Sequence, residues 1–119
     1  MDPQARILHT SLHQVSATLV GTTTLLAPSG VAANPSQVVV SDELLALDPG
    51  GAARVVNLPP VTGLRGARLM VVNVADAAED LYLVDDVLSA TLVTVSQSET
   101  GIVVAGDTRW YNAGLAKAT

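Results

Sequence analysis

Along this chain, apolar residues recur at alternate positions in short runs that glycine, proline or aspartate interrupts, the period of half-buried β-strands. Residues 14–20 set Val15, Ala17 and Leu19 on one face and Ser16, Thr18 and Val20 on the other, and Gly21 ends the run. A short strand over residues 23–27 precedes the turn material Pro28, Ser29 and Gly30. Residues 37–47 read as extended but interrupted by Asp42 and Glu43, and Asp48-Pro49-Gly50-Gly51 is a strong turn. Residues 54–58 form a strand that stops at Pro59-Pro60, whose ring nitrogens cannot donate to a ladder. The Thr62–Gly66 stretch is a loop.

Residues 68–74 hold Leu69, Met70, Val71 and Val72 without alternation, which predicts a central strand buried on both faces. Residues 80–84 alternate Leu81 and Leu83 against Tyr82 and Val84, and residues 89–95 set Thr91, Val93 and Val95 against Leu92 and Thr94. Glu99-Thr100-Gly101 is expected to turn into a strand over residues 102–105, and Gly106-Asp107 into a last one over residues 108–112. No internal repeat, linker or low-complexity segment is visible. The expected fold is all-β: a single-domain β-sandwich or jelly-roll-like barrel over residues 14–119, with residues 1–13 as a short N-terminal arm.

Composition sharpens this picture. With 119 residues the chain is the size of one domain, and 49% hydrophobic against 14% charged residues excludes disorder throughout. The core is aliphatic and fine-grained: 18 Val, 16 Leu and 17 Ala stand beside no Phe, one Trp and two Tyr. Val, Ile and Thr together supply about a quarter of the chain, and their stiff χ1 suits a pleated surface. The absence of cysteine rules out disulfides and thiolate metal sites. A net charge of −5 repels phosphate and argues against nucleic acid. Residues 7–41 carry no Asp, Glu, Lys or Arg, yet Gly21, Pro28, Gly30 and Pro35 break the run and Thr18, Thr22, Thr23 and Thr24 dilute it, so neither a membrane span nor a secretion signal is expected.

Candidate chemistry is sparse. His9 and His13 would share a helix face and hold a metal, but no third ligand lies nearby, and packing or surface histidines are the simpler reading. Asp76, Glu79, Asp80, Asp85 and Asp86 supply five of the eleven acids, without the spacing of a calcium loop; two solvated loops around a strand explain them more simply. Arg54, Arg65 and Arg68 are scattered singly and would suit local carboxylates or an acidic partner surface. Trp110-Tyr111 is the largest apolar payload and reads as a packing anchor in preference to a sugar platform, which one Trp alone seldom makes. Catalytic elbows, phosphate loops and dinucleotide fingerprints are absent, so an enzyme is not expected, nor a cofactor or small-molecule substrate.

The order Val-Val-Asn-Leu58-Pro59-Pro60-Val-Thr-Gly, then Gly66, Leu69-Met70-Val71-Val72-Asn73, the strand Leu92-Val93-Thr94-Val95, and Gly106-Asp107-Thr108-Arg109-Trp110-Tyr111 resembles a β-rich module of tailed-bacteriophage virion proteins. That module is found in head decoration proteins and in tail-fibre or baseplate parts. The resemblance covers about residues 55–112 and marks Leu58, Pro59, Gly66, Asn73, Gly106, Trp110 and Tyr111 as fold-defining, none of them catalytic. It implies a capsid decoration or cement protein, a homotrimer on the outer surface of the phage head that contacts the major capsid protein after synthesis in the host bacterial cytoplasm. A tail-fibre, tail-tip or baseplate component is the alternative, and a carbohydrate-binding module a more distant one. Ile7, Leu8 and Leu12, costly to leave exposed, are the expected partner contacts of the arm.

Overall fold

The computed structural model describes residues 14–27, 32–34, 36–40, 44–87 and 89–117. Its ten strands make two five-stranded sheets, and no described residue is helical. They are β1 (Gln14–Thr18), β2 (Thr23–Leu26), β3 (Gln37–Val39), β4 (Leu44–Asp48), β5 (Arg54–Asn57), β6 (Arg68–Asn73), β7 (Leu81–Asp85), β8 (Ala90–Val95), β9 (Glu99–Ala105) and β10 (Trp110–Lys117). The all-β expectation therefore holds. The arm assigned to residues 1–13 lies outside the described residues.

The first sheet runs β1-β4-β6-β9-β10 and the second β3-β2-β5-β7-β8. A jelly roll is an antiparallel architecture, and the pairing here departs from it. β1, β4 and β6 run parallel, as do β3, β2, β5 and β7. From β4 to β7 the chain changes sheet at every strand and returns one position further along, so Leu44 lies beside Met70 and Arg54 beside Leu81. Parallel neighbours need a crossover of a dozen or more residues; for β4 and β6, and for β5 and β7, the intervening strand in the other sheet provides it. Only β8, β9 and β10 close the wind antiparallel.

One apolar cluster lies between the sheets, built from Leu45, Leu47, Leu69, Val71 and Val103 on one side and Leu25, Val56, Leu81, Leu83, Val93 and Val95 on the other. β6 is the middle strand of its sheet, as its composition predicts, but it is not buried on both faces: Leu69, Val71 and Asn73 are buried while Met70 and Val72 stay half-exposed. The run of apolar residues hides an ordinary alternation whose outer members are also apolar. Glu99, Thr100 and Gly101 belong to β9 instead of a turn, which falls earlier, where Ser98 takes φ 67° and Ser96 N–H donates to Glu99 Oε1 at 2.8 Å. β10 continues past Asn112 through a bulge at Gly114. A second bulge between Leu83 and Val84 turns Thr91 out of line with Val93 and Val95, leaving it exposed.

Two glycines answer to close contact. Gly50, at φ 77°, completes the Asp48-Pro49 turn, where its N–H donates to Asp48 Oδ1 at 3.0 Å and any Cβ would strike the Leu19 carbonyl. Gly101 faces the second sheet, and a Cβ there would lie 2.6 Å from Cγ2 of Val95. Val95 is fully buried and stiff, so it cannot swing aside. Gly101→Ala is expected to cost about 1–3 kcal/mol by overpacking, seen as a lower urea midpoint with an unchanged slope; an unmoved midpoint would mean that the sheets part there freely.

Candidate functional site

The residues marked by the resemblance lie far apart in the sequence, and backbone geometry brings several into contact. β5 ends at Asn57, after which Leu58 N–H donates to Val84 O at 2.9 Å, keeping the chain beside β7 as it leaves the sheet. Leu58 is buried, and the Pro59 carbonyl behind it accepts Trp110 Nε1–H at 2.7 Å. Trp110 is 0% exposed, and its backbone N–H donates to Asp85 Oδ1 at 3.1 Å. The indole thus fills one end of the core and ties the end of β5 to the start of β10. Buried tryptophan usually pairs its N–H in this way, but its depth removes it from any sugar-binding surface.

Asn73 closes the opposite end of β6. Its Nδ2 donates to Glu79 O at 2.7 Å and to Val95 O at 2.9 Å, and its Oδ1 accepts Ala75 N–H at 2.9 Å. One buried amide therefore uses both N–H donors and its carbonyl, joining the first sheet, the loop before β7 and the end of β8 in the second sheet. Gly66, at φ 82°, donates its N–H to Ala105 O at 2.8 Å as the chain enters β6. Gly106 N–H bonds Arg109 O at 2.9 Å, and Gly106 packs under the Tyr111 ring. Tyr111 is half-exposed, with the Arg109 guanidinium 4.3 Å from its ring centre.

The acidic residues do not converge. Asp76, Glu79 and Asp80 precede β7 while Asp85 ends it and Asp86 follows, so the two groups sit about 16 Å apart along an extended strand. Glu79 Oε1 accepts Gly51 N–H at 3.2 Å, binding its loop to the turn before β5. Asp85 is buried and serves Trp110, a role its place in an acid-rich stretch does not announce. Among the described residues no group of three His, Cys, Asp or Glu is placed to hold a metal. His9, His13, Ile7, Leu8 and Leu12 lie outside those residues.

The arginines differ in their commitments. Arg54 Nε donates to Pro49 O at 2.7 Å and Nη2 to Gly50 O at 3.4 Å, holding its own turn. Arg65 Nε pairs with Asp107 Oδ1 at 2.6 Å, both exposed, a geometry that adds little stability in water. Arg68 is exposed at the start of β6. What the described residues assemble is a set of structural latches around a core, with one feature that sequence reading passed over: Leu44, Met70, Val72, Ile102 and Val104 sit half-exposed together on the outward face of the first sheet. Compared with protein-family models, with curated proteins and with solved structures, the chain matches none of them.

Proposed function

We propose that this chain is a structural virion protein of a tailed bacteriophage, a capsid decoration or cement protein that binds the outer surface of the head as a homotrimer and stabilises it through the major capsid protein. The observation that carries the reading is the latch from Pro59 to Trp110. The Leu-Pro strand end and the closing Trp-Tyr, two pieces of the virion-module pattern 51 positions apart, are bonded to each other in the core. The same pattern's Asn is the bonded hub between the sheets. These residues build a scaffold and leave the outer surfaces free for partners.

The mechanism is clamping. A protein that binds the assembled shell and not its separated subunits stabilises the shell by mass action, by about 2.7 kcal/mol per site at a hundredfold excess over Kd. Three linked copies add avidity, because the second and third contacts form at high effective concentration.

The test is co-sedimentation with undecorated phage shells after light scattering has established the mass in solution. Wild-type trimer is expected to pellet with shells. A chain lacking residues 2–13 is expected to remain a folded trimer and stay in the supernatant, since Ile7, Leu8 and Leu12 are the assigned shell contacts. Unchanged occupancy of the truncated chain would remove the arm from the mechanism. A trimer that ignores shells would move the assignment to the tail fibre or baseplate.

A further inference from the structure

The two outer faces of the molecule differ in chemistry. In the first sheet, the register sets Leu44, Met70 and Ile102 in one row across β4, β6 and β9, and Ala46, Val72 and Thr100 in the next. Val104 continues the apolar surface beside Arg68, and among the described residues of β4, β6 and β9 the charges on this face lie at its ends, Arg68 at one and Asp48 at the other. The second sheet's outer face is interspersed with polar groups, Thr24 beside Asn57 and Tyr82 beside Thr94. An apolar face on a central strand is a cost in water unless something covers it.

We propose that the outward face of the first sheet is the surface on which copies of this chain meet. This inference rests on the homo-oligomer in the proposed function and identifies the surface that forms it. Charge decides between this face and the rest of the molecule. Each copy carries −5, so two copies meet favourably only where carboxylates stay out of the contact. Asp76, Asp86 and Asp107 are exposed on loops, whereas the middle rows of this face contain no ionisable group.

Of the four edge strands, β1, β10, β3 and β8, two are poor routes to association. β10 is bulged between Asn112 and Gly114, with Asn112 Oδ1 accepting the Gly114 N–H at 2.9 Å, and β3 has 3 residues. A bulged or very short edge resists strand addition. A second copy laid on Met70 and Val72 would bury apolar groups without confronting carboxylates.

The absence of cysteine makes labelling a clean test in the full chain. Met70→Cys is expected to react with maleimide at least about tenfold more slowly than Thr94→Cys at assembling concentrations, and to regain the faster rate on dilution. Met70→Glu places a carboxylate in the contact and is expected to weaken association more than about a hundredfold, giving a monomer by sedimentation. Its buried Trp110 should keep its blue-shifted emission. If that emission shifts to the red, the variant has lost its fold and the labelling result decides alone. An oligomer in which Met70→Cys reacts as fast as Thr94→Cys would overturn the face and leave the trimer standing. A wild-type monomer would overturn both, and a protected oligomer that ignores shells would keep the face and remove the capsid assignment.

Discussion

Replacing Trp110, the largest of the fully buried side chains among the described residues, with alanine is expected to lower stability by about 3–5 kcal/mol, the range for emptying a large buried aromatic site. A domain of this size has on the order of 5–15 kcal/mol in all, so the variant would stand near the edge of folding. Two terms add. The indole is fully buried in a core with no phenylalanine to close over the gap, and the Pro59 carbonyl loses its hydrogen bond from the indole N–H. The bond to Asp85 uses the Trp110 backbone N–H and survives. Trp110→Phe separates the terms: it keeps most of the ring and strands only the carbonyl, at about 1–3 kcal/mol. Thermal unfolding followed by far-UV circular dichroism should show a fall of roughly 10–20 °C for alanine, at about 4 °C per kcal/mol, and a smaller one for phenylalanine. A Tm within a degree of wild type for Trp110→Ala would refute its role as anchor.

Asn73→Asp should be the most pH-dependent variant. The amide donates through Nδ2 to two carbonyls, Glu79 O and Val95 O. A carboxylate oxygen at that place would face both oxygens in a buried site, so folding disfavours the charged form and raises the carboxyl's pKa above its unfolded value of about 3.9. The protonated acid can still donate one bond. The penalty is therefore smallest below about pH 4, grows as pH rises through the unfolded value, and levels off above the folded one. Asn73→Ala leaves three backbone groups without their partner and is expected to cost about 2–4 kcal/mol with no such pH dependence. Urea midpoints at pH 3, 5 and 7, each relative to wild type, test this; a difference for Asn73→Asp that stays flat across the range would sink the argument.

Much of the local structure was legible. The strands near residues 14–18, 23–26, 54–57, 81–85 and 90–95 fall where alternation and turn residues put them. The limits of local reading show at particular residues. Met70 and Val72 are apolar yet outward, so β6 looks doubly buried until its neighbours are known. Glu99 and Thr100 are polar and precede a glycine, which reads as a turn, but β6 on one side and β10 on the other hold them in a strand. Asp85 sits in an acid-rich stretch, and only the approach of β10 makes it a buried acceptor. In each case a partner distant in sequence overrides a local propensity.

By itself, the sequence determined that this protein is all-β, where the turns marked by proline and by Asp48-Pro49-Gly50-Gly51 fall, that its core is aliphatic, and that its one tryptophan anchors the packing. Those properties follow from side-chain volume, β-branching and the conformational limits of glycine and proline, which act over a few residues. Only the tertiary structure decided that seven of the ten strands wind in parallel between two sheets, that Pro59, Asp85 and Trp110 meet, that Asn73 joins both layers, and that the acids are held apart. An alternating strand states which of its faces is buried but not which neighbour it takes or in which direction, because backbone N–H and C=O groups are alike at nearly every residue. That choice is made when all the apolar faces close on one core together.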